Sequence, residues 1–431
     1  MHPPDLPAAA EQPEPVPLRL APAREQPALA ARLWAAVRPV VGVFLWSRAT
    51  VWLIALFTLL AFEPNRSLSP IAQASMAPFL TNDLGWMTDV WAHWDSVWFL
   101  QIAHSGYGLS GQASAFYPLY PGLVAALGRV FGGHYVAAGI VVSLTATLAS
   151  FALLYTLGKR LLGEDGAWRA VLYLAVFPMA MFLGAVYAES LLLALMLGAF
   201  LCAERGHWLW AWILTGLALL TRLAGAALIP ALVLLAWRSP SRRRALAGLP
   251  LVAVEFAVFP ILLWRQTGDA LGFVHAEKIW SRQLATLGPL SGAWEGVKAG
   301  VTGLARILTH HPVQRRAFAS GSDYTLLTSA FNVQALLFLA VFVFLTVVAW
   351  RRFGAVYGLF AAASLLIPLS SPNRGGWPLL SLPRFGVTIF PLFLALAALG
   401  QRPKVHSAIV AVSAAGLGLV TVQWALWQWM G

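Results

Sequence analysis

The run Trp91-Ala92-His93-Trp94-Asp95-Ser96-Val97-Trp98-Phe99-Leu100-Gln101-Ile102-Ala103 leads on to Gly106-Tyr107 and to Ala115-Phe116-Tyr117-Pro118-Leu119-Tyr120-Pro121. It sets a single acid among aromatics, just beyond the first long apolar stretch of the chain. A carboxylate so close to lipid has either water around it or a task. The rest of the sequence bears on which.

The 431 residues are 59% hydrophobic and only 11% charged, too apolar for an ordinary soluble domain. Apolar runs recur from residue 38 to residue 430, several of them near the ~20 residues that cross a bilayer as helix. They do not alternate, so they do not read as barrel strands. The expected fold class is an all-α polytopic membrane protein. The net charge of +12 would suit a nucleic-acid partner, but the cations gather at the ends of apolar runs, where they anchor and orient helices. No nucleic-acid partner is therefore expected. Twenty Trp fit an interfacial belt. The lone Cys202 excludes an intramolecular disulfide and leaves little scope for thiolate–metal chemistry. Abundant Arg and Ala suggest a bacterial source rich in G and C.

Residues 1–33 hold eight prolines and scattered charge without apolar periodicity, which reads as a disordered, Pro-rich cytoplasmic tail and not as a signal peptide. The membrane domain is 34–431. A first span is expected over 39–62, followed by a polar, aromatic external loop at 63–115. Apolar segments follow at 116–131, 134–157, 167–183, 187–203, 207–221, 223–237 and 245–264. A second large external loop covers 266–326, and further segments lie at 328–350, 355–371, 385–400 and 407–430.

Short loops rich in Lys and Arg face the cytoplasm. This puts Arg238 with Arg242-Arg243-Arg244, Arg351-Arg352 and Arg402/Lys404 inside, and 63–115, 266–326 and 372–384 outside. Six segments between 115 and 238 break the required parity. The short 116–131, opening on Pro118 and Pro121, is then a half-inserted or interfacial helix, and about eleven crossings result. On this topology Glu189 and Arg222 share the external side with Asp95. No internal repeat is evident, which weakens a transporter built from inverted repeats.

In helical phase Trp91, Trp94, Trp98 and Ile102 share a face, so 90–103 reads as an interfacial amphipathic helix with Asp95 off that face. Asp95 alone reads equally as a solvated loop acid, like Asp83 and Asp89. Glu189 in Val186-Tyr187-Ala188-Glu189-Ser190 either favours a helix dipole or serves function at a span edge. Arg222 either snorkels to the interface or offers a donor fork to a phosphate. Arg384, in Leu382-Pro383-Arg384-Phe385-Gly386, has the same two readings. For most of Phe273-Val274-His275-Ala276-Glu277-Lys278-Ile279-Trp280-Ser281-Arg282 a solvated helix face is the plainer reading. His310-His311 is a weak metal signal, because adjacent residues do not share a helix face. There is no Walker loop, no nucleotide fingerprint and no zinc-ligand spacing. A group donor would have to come from the membrane.

His93-Trp94-Asp95-Ser96, Phe99, Ile102-Ala103, Gly106-Tyr107 and 115–121 together resemble the first-loop signature of the PIG-V family. These are the GPI α-1,6-mannosyltransferases and their bacterial relatives, within the GT-C superfamily. Tyr187-Ala188-Glu189-Ser190, Leu220-Thr221-Arg222, Glu277 to Arg282 and Pro383-Arg384-Phe385 resemble later blocks in the same order. The resemblance implies a GT-C-like fold with Asp95 as catalytic base and a polyprenyl-phosphate sugar, usually mannose, as donor. It implies inversion at the anomeric carbon, and no cofactor or metal is demanded. His93, Trp94, Tyr107, Tyr117, Glu189, Arg222, Glu277, Arg282 and Arg384 become the substrate-binding candidates, with the three arginines as phosphate ligands. Where eukaryotic members tend to carry an acid before the Ala-Phe pair, this chain has Gly111 and Gln112, so the expected acceptor is a cell-envelope glycolipid or glycan. The expected location is the bacterial plasma membrane, with the site on its extracytoplasmic face.

Two other classes stay open on sequence alone. A transporter or lipid flippase of envelope precursors would bury ionisable groups in mid-span. A scaffold subunit with a decayed site would lack the acid.

Overall fold

The computed structural model describes residues 29–63, 85–309 and 322–428. Most of the proline-rich tail, Asp83 and the His310-His311 pair lie outside the described residues. Among those described the regular structure is helical, with one isolated bridge between Arg282 and Asn373 in place of any sheet. The helices used below are α1 (Leu29–Ala61), α2 (Ser96–Ser105), α3 (Leu119–Val130), α4 (Tyr135–Val176), α5 (Glu189–Glu204), α6 (Trp208–Thr221), α7 (Leu228–Trp237), α8 (Leu249–Phe256), α9 (Val258–Thr267), α10 (Gly272–Ile279), α11 (Pro289–Thr309), α12 (Ser322–Phe353), α13 (Ala355–Ser370), α14 (Phe390–Leu399) and α15 (Pro403–Ala425).

The all-α, membrane-integral class expected from the apolar runs is what the structure shows. Among the described residues five helical stretches are long and apolar enough to cross a membrane: Trp34–Ala61, Tyr135–Val176, Arg242–Thr267, Leu326–Phe353 and Pro403–Ala425. A sixth arises if Leu382–Thr388 and Phe390–Leu399, bent by 81° at their junction, count as one span. Because Tyr135–Val176 holds two of the expected segments, these stretches account for six of the eleven expected crossings, or seven with the bent pair. The remaining segments fold as helices of 10–17 residues. The 12 residues of α3 rise only about 18 Å at 1.5 Å each, short of the ~30 Å hydrocarbon core, in keeping with the half-inserted helix expected there. The apolar segments read at 134–157 and 167–183 fall on the two arms of α4, which breaks at Gly163 where φ is +75°, but the second arm ends at Val176 and leaves 177–183 outside the helix.

One expectation about the Asp95 loop is corrected. Residues 90–103 do not make one amphipathic helix: α2 starts only at Ser96, because Trp94 takes a left-handed φ of 57°. That kink removes Trp91 from the face of Trp98 and Ile102. Trp91 is fully buried, with its ring 5.2 Å from that of Trp52 on α1.

The bundle centre is an irregular segment, 177–188, between α4 and α5. It is buried almost throughout and includes a short 3-10 turn at Ala180–Leu183. Buried backbone outside a regular helix must find its hydrogen bonds elsewhere. Here the amides bond largely within local turns, and side chains take up several of the carbonyls. Ser143, Thr147 and Ser150 share one face of α4, and their hydroxyls lie 3.3, 2.5 and 3.2 Å from the carbonyl oxygens of Tyr187, Leu183 and Ser190. Arg48, buried in α1, donates to the carbonyls of Ala180 (2.7 Å) and Ala175 (3.3 Å). The Val186 amide donates to Trp91 O at 2.9 Å, which ties this segment to the Asp95 loop.

Candidate functional site

Asp95 is the residue before α2, so its carboxylate leaves the chain at a helix N-terminus, where negative charge is favoured. Its amide donates to the Tyr187 hydroxyl at 3.1 Å, and that hydroxyl donates to His93 O at 3.3 Å. Arg384 Nη1 donates to Asp95 Oδ2 at 2.6 Å, across 289 residues of sequence. Arg384 Nε lies 3.3 Å from Glu189 Oε1, and Arg222 Nη1 donates to that same oxygen at 2.6 Å. The result is a continuous chain of charge, Asp95–Arg384–Glu189–Arg222. The charge-based topology placed all four of these residues on one side of the membrane, and the structure brings them into direct contact.

Burial grades the four. The side chains of Glu189 and Arg384 are 1% and 4% exposed, while those of Asp95 and Arg222 are 18% and 23% exposed. Glu189 Oε2 is buried and takes no hydrogen bond. Glu189 therefore sits behind the site as a counter-charge for two arginines, and Asp95 and Arg222 form its open edge.

Phe385 organises the cations. The guanidinium carbons of Arg222, Arg384 and Arg282 lie 4.8, 5.4 and 6.0 Å from its ring centroid. Arg282 is held by carbonyls, donating to Leu380 O at 2.8 Å and Ser371 O at 3.3 Å, and by the bridge to Asn373. Among the described residues no carboxylate reaches ion-pair distance of it, so Arg282 keeps its charge available. Burial pushes the Glu277 carboxyl up from the usual range, and the charges of Arg282 and Arg222 partly oppose this. Three cations thus face three acids, and among the described residues Arg282 is the one of the three with no carboxylate at ion-pair distance.

The other candidates fall in two places. His93 is buried, its ring stacked on Trp427 and Trp424, with Nδ1 3.2 Å from Trp424 O. Trp94 carries the kink before Asp95. Tyr107 and Tyr117 belong to a neighbouring aromatic cluster with Phe259 and Phe273. The Tyr107 hydroxyl donates to Phe116 O at 2.7 Å, and the Tyr117 ring lies 4.8 Å from that of Phe259. Burial pushes the Tyr107 hydroxyl well above its ordinary value, which keeps it a neutral donor. These two tyrosines build a wall and do not enter the charged chain. Trp280 joins that wall to the site, with its ring 5.9 Å from Trp98 and 6.0 Å from Phe116. No group of three or more His, Cys, Asp or Glu side chains converges as a metal site among the described residues.

Sequence reasoning passed over Trp424 and Trp427, about 330 residues from Asp95, and no local signal marks them. It also passed over Arg48 and Glu255, which lie inside apolar runs where an ionisable residue is itself a flag.

Comparison with known proteins bears on the Asp95 loop. Residues 38–233 match the mannosyltransferase (PIG-V) family. The match covers Asp95, Glu189 and Arg222 and bears out the resemblance read from the first-loop signature. No curated protein matches the chain. Among solved structures, apo ArnT from Cupriavidus metallidurans is similar, at 19% identity and a TM-score of 0.43 over 88% of this chain and 62% of ArnT. An oligosaccharyltransferase from Archaeoglobus fulgidus tethered to an acceptor peptide overlaps at 16% identity and a TM-score of 0.39, over 88% of this chain and 55% of that one. ArnT bound to undecaprenyl phosphate gives 18% identity and 0.34 over 75% and 71%. The chain thus spans less than two thirds of each of the first two.

Proposed function

We propose that this protein is a GT-C-like, inverting glycosyltransferase that uses a polyprenyl-phosphate sugar, with mannose the sugar indicated by the matched family. The acceptor is a cell-envelope glycolipid or glycan, and the site faces the extracytoplasmic side of a bacterial plasma membrane. The observation that carries the reading is the state of Asp95. One oxygen is fixed by Arg384 at 2.6 Å, while the partly exposed side chain leaves the other without a partner among the described residues. A base held on one oxygen and open on the other can be aimed.

In the step proposed, an acceptor hydroxyl gives its proton to the open Asp95 oxygen as its own oxygen attacks the anomeric carbon. The bond from that carbon to the phosphate oxygen breaks on the opposite face, so a β-linked donor gives an α-linked product. The electron pair leaves with the lipid phosphate. Arg282 and the open face of Arg222 supply the cations that stabilise this charge. Arg384 and Glu189 hold the geometry.

The test is transfer in vitro from polyprenyl-phosphate mannose by purified protein, comparing wild type with Asp95→Asn and Arg282→Gln. Asp95→Asn is expected to lower kcat by at least about 10²-fold, in line with loss of a general base. Arg282→Gln is expected to weaken both donor binding and kcat. Undiminished transfer by a correctly folded Asp95→Asn protein overturns the base assignment.

One observation favours transport as a second reading. Glu255 lies mid-way in the span Arg242–Thr267, and its Oε2 is buried without a hydrogen bond. However, its carboxylate rests where a Cβ on Gly216 of α6 would be, so it packs against the backbone of a neighbouring helix. Lipid-linked sugar flux into protein-free-matched vesicles, lost in Glu255→Gln, would favour the transport reading.

A further inference from the structure

We infer that Trp427, just past the end of α15, is a positioning residue for Asp95. The inference rests on the reading of Asp95 as the base. Trp427 touches none of the reacting groups and acts through the turn that carries them.

The first observation is strain. Trp94 adopts φ 57°, a region that bulky side chains avoid, directly before Asp95. Such a residue persists only where its surroundings over-determine it. The second observation is what surrounds it. The His93 ring stacks on Trp427 with centroids 3.8 Å apart and planes at 30°, and on Trp424 at 5.4 Å and 26°. The Trp427 ring also lies 6.1 Å from that of Trp94. Trp424 Nε1 donates to Val90 O at 2.6 Å, and its carbonyl lies 3.2 Å from His93 Nδ1. The end of α15 therefore grips residues 90, 93 and 94, leaving Asp95 as the next position in the chain.

The third observation is that the grip is itself held in an unfavourable state. Trp427 has φ 62°. Its amide bonds to Trp424 O at 3.0 Å, and the Gln428 amide bonds to Gln423 O at 2.9 Å. This is the six-to-one helix ending whose left-handed position normally takes glycine. A glycine would finish the helix with less strain, so helix termination does not explain a tryptophan there. The stack with His93 does. Two strained aromatic residues in contact fix the turn from one side, while Tyr187 and Arg384 fix Asp95 from the other.

The discriminating variant is Trp427→Gly, which suits the left-handed backbone and removes the ring, with Trp427→Phe as the conservative partner. Hydrogen exchange on the detergent-solubilised full chain reads the turn without reference to activity. Peptides covering 90–96 are expected to exchange at least about tenfold faster in Trp427→Gly, and Trp427→Phe is expected to restore most of the protection. Peptides from the middle of α5 are expected to stay unchanged. Activity reads the consequence. Trp427→Gly is expected to lower kcat by about tenfold with KM little changed, as small misplacements of a reacting group do. In an Asp95→Asn background the same change is expected to alter the residual rate by less than about twofold, because its effect passes through Asp95.

Unchanged exchange at 90–96 overturns the inference whatever the activity does. An equal fold-loss in the wild-type and Asp95→Asn backgrounds overturns it too, since that is the mark of a general folding defect. If exchange rises but Asp95→Asn retains full transfer, the base reading falls while the grip on the turn stands.

Discussion

Replacing Arg384 by Gln offers the sharpest test of how the charged chain is held. Arg384 Nη1 is 2.6 Å from Asp95 Oδ2, its Nε is 3.3 Å from Glu189 Oε1, and its side chain is almost wholly buried. Taking one partner from a buried ion pair costs about 3–5 kcal/mol, mostly because the other charge is left uncompensated. Glu189 would keep Arg222 at 2.6 Å, and Asp95 is partly open to solvent. The cost of Arg384→Gln should therefore fall at the low end, about 3 kcal/mol. Asp95→Asn removes one charge but leaves Arg384 with Glu189, and its amide oxygen still accepts a hydrogen bond, so about 1 kcal/mol is expected. With Asp95 already neutral, loss of Arg384 strands nothing new at that position. The double variant should then be more stable than the sum by about 2 kcal/mol, well beyond the additivity of independent sites. The assay is denaturant unfolding of purified protein in one detergent, followed by intrinsic fluorescence of the twenty tryptophans. Additivity to within about 0.5 kcal/mol would refute the coupled network, and with it the claim that Arg384 holds Asp95 in place.

Two further outcomes follow from the packing and the electrostatics. Burial raises the Glu277 carboxyl in the folded state, so the folded chain binds more protons than the unfolded one above the ordinary carboxylate range. That contribution is present at low pH and is lost as pH rises through the folded value. Apparent melting temperatures of wild type and Glu277→Gln, compared between pH 4 and 7, should thus move in the Gln variant's favour as pH rises, and parallel curves would contradict the assignment. On α11 the glycines 292, 296, 300 and 303 line the buried face. A Cβ at Gly292 meets the Leu369 backbone carbonyl, whereas one at Gly300 meets only side-chain atoms of Leu336, which yield more readily than backbone. Gly292→Ala should therefore destabilise more than Gly300→Ala, by about 1–3 kcal/mol of overpacking. The reverse order of melting temperatures would show that α11 does not seat as described.

The apolar runs read in the sequence correspond closely to helices, because an uninterrupted apolar stretch in a membrane has few alternatives. Crossings were harder to read. Apolarity marks α5, α6 and α13 as embedded, but whether a helix of 14 or 16 residues crosses depends on its neighbours and not on its own composition. The shared sidedness of Asp95, Glu189, Arg222 and Arg384 was legible through charge placement. The direct clasp of Asp95 by Arg384 was not, since sidedness says nothing of distance within a face. The misread helix at 90–103 has one cause. A left-handed tryptophan has no sequence signature, and helical phase counted through Trp94 put Trp91 on a face it does not share.

The residues that reading by periodicity passed over have one physical theme. Arg48 and the Ser143–Thr147–Ser150 face all donate to carbonyls in or at the borders of the non-helical segment 177–188. Each looks unremarkable alone: an arginine in an apolar span and small hydroxyl residues in a long helix, which usually bond back to their own turn. Their role becomes visible only once the backbone they serve is seen to leave the helix. That departure is what lets Tyr187 present its hydroxyl to the Asp95 amide and lets Glu189 start a new helix between two arginines. A continuous helix through this region would have satisfied its own backbone and carried Tyr187 and Glu189 to different faces. The broken backbone and the polar donors that hold it are thus a single device, and the charged site is built on it.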